Sequence, residues 1–444
     1  MTDSSFHFEF PFGRRKIVAS FTGGQLSSDG GLLLLKQVDE QLGLTARLAG
    51  CIRDQRSQNL IEHSVLDLMR QRVFGIACGY EDCNDFDELR RDGLFKLAVG
   101  REPLTGEDPG SQPTLSRLEN MVRDRDLIRL SYARFEDFLA RHRESPPRRI
   151  VIDIDVTDDP VHGQQELAGF NGFYDEHCYL PLLFHLQADG GQKEFVAVVL
   201  RGGKAAAKEG AVGVLRRIVT RLRQVFPNAK LLLRGDAGFA APEVYDYSEA
   251  AGLRYVLSLP KNSRLLAAAA PLLEQVRTIY GNTGEKVKRY GEFLYAADGW
   301  PAARRVIVKA EVMPEGENPR FVVTNLPRRK PKATYRLYTD RGDVENRIKE
   351  LKNDLKSGRI SCQRFLANQF RLLLHGAAFV LIQGLQRLLA DTELAAAQAG
   401  TLRSKLLKVA ARVHQTCRYI RAELPTRYPY QQVWAIMVTK AAVT

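Results

Sequence analysis

The stretch Val151–Thr157, VIDIDVT, carries two acids at alternate positions. In a strand, alternate side chains share a face, so Asp153 and Asp155 point the same way. Two carboxylates on one face repel each other, and burying either one unpaired costs several kcal/mol. A divalent cation removes that cost, because hard carboxylate oxygens suit Mg²⁺ or Mn²⁺. A third acid, Asp236, ends the apolar run LLLRGD, and a fourth, Glu345, lies in YTDRGDVENRIKELK among Arg341, Lys349 and Lys352. If the strands bearing Asp155 and Asp236 are neighbours, their carboxylates meet at the sheet and Glu345 supplies the third. Such a triad holds two metal ions that activate a water or a 3′-hydroxyl and stabilise the leaving oxygen in an in-line phosphoryl transfer. The cations beside Glu345 suit a phosphodiester chain.

The elements that must position these acids are legible from periodicity. Val344, Ile348, Leu351 and Leu355 recur at helical spacing, so Tyr338 to Lys352 reads as one amphipathic helix with Arg341, Glu345, Lys349 and Lys352 beside its apolar stripe. An ordinary surface helix with a Glu345–Lys349 pair is the alternative for that segment taken alone. Upstream, IVIDIDVT, YLPLLFHLQ and EFVAVVLRG read as strands and KEGAVGVLRRIVTRLRQVF as a helix. AKLLLRGDAG reads as a strand ending in Asp236, followed by a helix and the strand RYVLSLP. Three strands, a helix and an acid-ended strand give the order of an α/β ribonuclease-H-like core, with chemistry at strand ends.

Around that core the expected organisation has five parts. Residues 1–147 form a helical N-terminal DNA-binding or dimerisation domain that stops at Pro146-Pro147. Residues 148–261 are the first part of the core, 262–325 a β-rich insertion, 326–358 the final core helix with Glu345, and 359–444 a helical, basic region. The last region includes an expected basic helix, TLRSKLLKVAARVHQTCRYIRAEL, with a stripe at Leu402, Leu406, Val409 and Val413.

Charge supports a polyanionic partner. The net charge is +13, and residues 301–444 hold 26 Lys and Arg against 11 Asp and Glu, a surplus of 15 that leaves the rest slightly acidic. Arg328, Arg329 and Lys330 in the loop PRRKPK, and Arg117 at a helix start, are further candidate DNA contacts, as is Trp300 in the turn AADGWPAARR through stacking on a base. The six cysteines are scattered and read as reduced thiols of a cytoplasmic protein. No apolar run follows the charges of the first residues, so no secretory leader is expected. The most apolar segment, RLLLHGAAFVLIQGLQRLL, is interrupted by His375, Gln383, Gln386 and Arg387 and reads as a buried helix, with no membrane partner.

With these pieces placed, the sequence resembles the DDE transposases of bacterial insertion sequences. Tyr338, Arg341, Glu345 and Lys352 look like the Y-R-E-K box of one branch of that family. DIDVTDDPVHGQQELAGFNGFYDEHCYLPL, LLLRGDAGF and SQPTLSRLEN look more narrowly like insertion-sequence family thirteen-eighty, a relative of the piggyBac elements. The resemblance covers roughly Phe8 to the last helix. It implies the metal-binding triad Asp155, Asp236 and Glu345, choosing Asp155 over Asp153 because a Thr stands two residues later, with Asp153 as a further candidate ligand. It also implies two Mg²⁺ or Mn²⁺ ions per site, and contacts from Tyr338, Arg341 and Lys352 to transposon-end phosphates. The implied reaction is cleavage at the terminal inverted repeats and transfer of the 3′-hydroxyl ends into target DNA. The implied protein is a homodimer or higher oligomer associated with the bacterial nucleoid. A DNA-binding protein that has lost catalysis and a metal-dependent nuclease on the same fold are the rival expectations.

Overall fold

The computed structural model describes residues 7–12, 14–327 and 329–442, so Arg328 lies outside the described residues. The chain divides into two compact units. One comprises Met1–Leu127, Asn353–Arg359 and Leu374–Thr444; the other comprises Ile128–Lys352 and Ile360–Leu373.

The second unit is built on a mixed sheet. Its main strands are β1 (Arg149–Val156), β2 (Leu182–Ala188), β3 (Lys193–Val199), β4 (Lys230–Gly235), β5 (Arg254–Leu259), β6 (Val287–Tyr295), β7 (Arg304–Met313) and β8 (Arg320–Thr324). Across the sheet they lie in the order β6-β7-β8-β5-β4-β1-β2-β3. β1, β4 and β5 are mutually parallel, whereas β2 runs antiparallel to β1 and β3 antiparallel to β2. Alternation along β1 separates two cores. Ile150, Ile152 and Ile154 join one apolar cluster with Leu215, Ile218 and Leu222 of helix Ala211–Val225. Val151 joins the other, with Leu232, Val256 and Tyr335 of helix Pro331–Thr339. Asp153 and Asp155 share the Val151 face by the same alternation.

Three expectations need correction. Residues 262–325 open with a 21-residue helix, Ser263–Thr283, where only short strands were expected, and the strands that follow extend the central sheet, because β8 pairs with β5 and carries β7 and β6 onto its edge. Tyr338 to Lys352 is not one helix. Pro331–Thr339 ends, the chain turns at Asp340 and Arg341, and a new helix runs Gly342–Lys349 before a wider π turn, Glu350–Asp354. Finally, the expected helix over 401–424 holds only to Leu407; Ala411–Gln415 and Ile420–Glu423 form an antiparallel hairpin.

In the first unit that hairpin also pairs with Leu26–Ser27. Its helices pack around a buried ion pair, Arg72 to Glu119 at 2.9 Å. Helix Val65–Cys78 starts on a reciprocal cap, Ser64 accepting from the Asp67 N–H while the Asp67 carboxylate accepts from the Ser64 N–H. Helix Phe365–Leu388 is apolar and long enough to cross a membrane, and 89% of its most apolar stretch is buried inside the protein, as expected of a core helix.

Candidate active site

β1 and β4 are parallel neighbours, with Asp153 opposite Arg234 in register. Asp155 is two residues further along β1, and Asp236 follows the last residue of β4, so both acids come from the same end of adjacent strands. Local sequence allows the turn after β4 to be tight. A Cβ on Gly235 would come within 2.9 Å of Ile154 Cγ2, and one on Gly238 within 2.5 Å of Ala207 Cβ. The Asp236 carboxylate accepts the Gly238 N–H at 2.9 Å and caps the short turn Ala237–Phe239.

Arg341 joins the acids. Its Nη2 lies 2.5 Å from Asp155 Oδ2 and its Nη1 lies 3.7 Å from Glu345 Oε1. Both Arg341 and Asp155 are buried, whereas the Glu345 side chain is 59% exposed. Burial pushes the Asp155 carboxyl up to about 7 against the pull of Arg341, and Asp236 and Glu345 push it the same way as burial. Burial alone would lower the Arg341 guanidinium, but Asp155 and Asp236 outweigh it and hold the group above its ordinary value.

The remaining sequence candidates separate into groups. Lys352 Nζ donates to Asp158 Oδ1 at 2.9 Å, which ties the end of the Glu345 segment to the loop that follows Asp155. Tyr338 is half-buried against Tyr335, and Lys349 is exposed. Asp153 is fully buried, and Arg234 grips both its oxygens, Nε to Oδ1 at 2.7 Å and Nη2 to Oδ2 at 2.6 Å. Asp153 is therefore already neutralised by a cation. Trp300 is not with these acids. It packs edge-on against Tyr245 and Tyr295 on the cluster that covers the other face of the sheet. Arg329 and Lys330 are exposed, and Arg117 is exposed in the first unit.

Sequence reasoning missed Arg234, Asp158 and Tyr174. An arginine inside the apolar strand KLLLRG, next to a strand with two acids on one face, was the available signal for Arg234. Tyr174 lies on the loop between the short strands Gly169–Asn171 and Glu176–Tyr179. Burial, with the fields of Asp158, Asp155 and Asp236, pushes its hydroxyl up to about 12. The same loop leaves Phe173 87% exposed.

The family model for the transposase DDE domain, group 1, matches residues 10–442. The chain belongs to this family. No curated protein matches the chain. For a DDE transposase, whose family generally uses divalent metal ions, the donor chemistry at Asp155, Asp236 and Glu345 is suitable: three carboxylates, one of them raised in pKa by its burial first and then by the other two. Among the described residues, no three metal-ligating side chains are gathered closely enough to form a metal site. The positive charge between the acids of this transposase is Arg341.

Proposed function

We propose that this protein is the transposase of an insertion sequence, cutting DNA at the element's terminal inverted repeats and transferring the freed 3′-hydroxyl ends into target DNA. The observation that carries the reading is the convergence on Arg341 of Asp155 and Glu345, beside Asp236, in a chain of the DDE family. The core is read as ribonuclease-H-like. The strand order β3-β2-β1-β4-β5, with β2 antiparallel and the two aspartates at adjacent strand ends, supports that reading.

Asp155, Asp236 and Glu345 would hold Mg²⁺ or Mn²⁺, which when bound would supply Lewis-acid stabilisation of the attacking and leaving oxygens. Arg341 keeps Asp155 in place and offsets carboxylate repulsion until then. Exposed Glu345 has the freedom to turn toward Asp155 and Asp236. Tyr338, Lys349, Lys352, Arg329 and Lys330 contact DNA phosphates, which fix the strand without reading its sequence. Two ends must be joined in one event, so the protein acts as a dimer or larger assembly on DNA in the cytoplasm. A strand-transfer assay with the element's own ends tests this function: joined products that require a divalent cation support it, and cleavage without joining would reduce the protein to a nuclease.

A further inference from the structure

Several arginines of the second unit are matched with acids. Arg221 lies 2.6 Å from Glu136, Arg264 2.8 Å from Asp298, Arg277 2.5 Å from Glu317 and Arg304 2.9 Å from Glu249. Among the described residues, a cluster of cations with no such ion pair gathers at the beginnings of β1, β4 and β5. Arg149, Lys230 and Arg254 are the first residues of these three adjacent parallel strands. With Arg223 and Arg329 they line a cleft of about 620 Å³ whose wall, among the described residues, has no acid. The bonds made by two of them are to neutral carbonyls, Arg223 to Ala229 at 2.7 Å and Arg254 to Asn325 at 3.0 Å, which orient a guanidinium without cancelling its charge.

This arrangement works against stability. Lys230 and Arg149 are direct register partners on neighbouring strands, and like charges side by side in a sheet are unfavourable. The floor of the cleft is apolar, with Leu231, Leu232 and Leu337, and a low-dielectric wall strengthens the field of the cations above it. The tract also continues. The segment after Arg329 supplies Lys330 and Lys332 to a second cleft of about 690 Å³, whose wall also carries Lys286, Lys288 and Arg289 against one acid, Glu285. A single small anion would leave most of these charges uncompensated; an extended polyanion would not.

We propose that the cleft at Arg149, Lys230 and Arg254 binds the phosphate backbone of duplex DNA as a second contact, separate from the carboxylate site. Asp155 is six residues beyond Arg149 on β1, or about 20 Å at about 3.3 Å per residue. That separation corresponds to roughly six base pairs, at about 3.4 Å of helix axis per pair. The cleft therefore holds DNA away from the phosphate being cut. The ordering of these two contacts rests on the function proposed above; the binding itself does not.

The test uses the full chain in EDTA, so that no cleavage intervenes, with a short fluorescent duplex titrated at several salt concentrations. In the triple variant Arg149→Gln/Lys230→Gln/Arg254→Gln, the affinity is expected to fall about tenfold or more, and the slope of log K against log salt to fall by about 2–3, close to 0.9 per phosphate contact. The double variant Arg149→Gln/Lys230→Gln, which keeps the Arg254 bond to Asn325, guards against misfolding and should show about two-thirds of that slope change. In Glu345→Gln the slope should stay at the wild-type value, whatever becomes of cleavage, so failure of the catalytic reading is distinguishable. An unchanged slope in a folded triple variant overturns the proposal. So does inorganic phosphate that stabilises wild type but not the triple variant while the duplex slope is unchanged, because the cleft then belongs to a small anion.

Discussion

Arg341 and Asp155 form a buried ion pair, 2.5 Å between Nη2 and Oδ2, at the end of the strand where Asp236 and Glu345 also approach. Removing one member of such a pair leaves the other charged and desolvated, which costs about 3–5 kcal/mol. Arg341→Met is expected to lose that much, and Arg341→Met/Asp155→Asn to recover most of it. Urea unfolding in a Trp434→Phe background follows Trp300 and so reports the unit that holds the pair. A double variant no more stable than Arg341→Met would show that the two residues are not coupled.

Lys352 is held by Asp158, and both are partly exposed, so the pair itself contributes little to stability. Its consequence is for DNA. Lys352→Gln is expected to weaken duplex binding and lower the salt slope by about 0.9, one phosphate contact. Asp158→Asn should do the reverse and tighten binding, because it frees the ammonium. Binding that is the same in both variants would remove Lys352 from the interface.

His185, buried on β2 beside Phe195, gives a pH dependence whose sign is fixed. Burial, then the nearby cations Lys193, Arg347 and Arg134, push its imidazole down to about 3. The unfolded chain takes up the proton near pH 6.5 and the folded one does not until about pH 3, so this contribution is complete above about 6.5 and is lost as pH falls toward 3. His185→Gln lacks it. The melting temperature of the variant relative to wild type should therefore rise as pH is lowered from about 6.5 to about 4. A difference that does not change with pH would mean that His185 is protonated in the folded protein.

Trp300 rests against Tyr245 and Tyr295, and the Arg304 guanidinium sits 5.6 Å from its ring. Trp300→Ala is expected to cost about 2 kcal/mol, less than a fully buried aromatic, and to leave duplex affinity unchanged. Weakened DNA binding with stability intact would restore the stacking role suggested by its place in a turn.

Much of the site was legible because β1 and β4 each carry their signal locally. Alternation alone puts Asp153 and Asp155 on one face, and the apolar run before Asp236 marks a strand end. Alternation cannot separate Asp153 from Asp155; that depends on Arg234, which comes from a strand some 80 residues away and arrives only through register. The segment 411–415 was misread for a related reason. Val409 and Val413 fit a helical stripe, while Ala411 and Val413 fit a strand equally well, and the contest is decided by pairing with Leu26–Ser27. In 263–283 the alanines and leucines favour a helix that accommodates Pro271, and the β pattern further on masked it. The apolar stripe at Val344, Ile348, Leu351 and Leu355 begins only after the turn at Arg341, so periodicity carried no information on whether Tyr338 and Glu345 belong to one helix.

The most direct test of the central claim is incubation of wild type and Glu345→Gln with duplex DNA carrying the element's ends and a target plasmid, with Mg²⁺ or with EDTA. Joined products that form only with wild type and only with Mg²⁺ are the expected result, with end binding nearly equal in the two proteins. Joining by Glu345→Gln, or binding without cleavage by either protein, would contradict the role given to Asp155, Asp236 and Glu345.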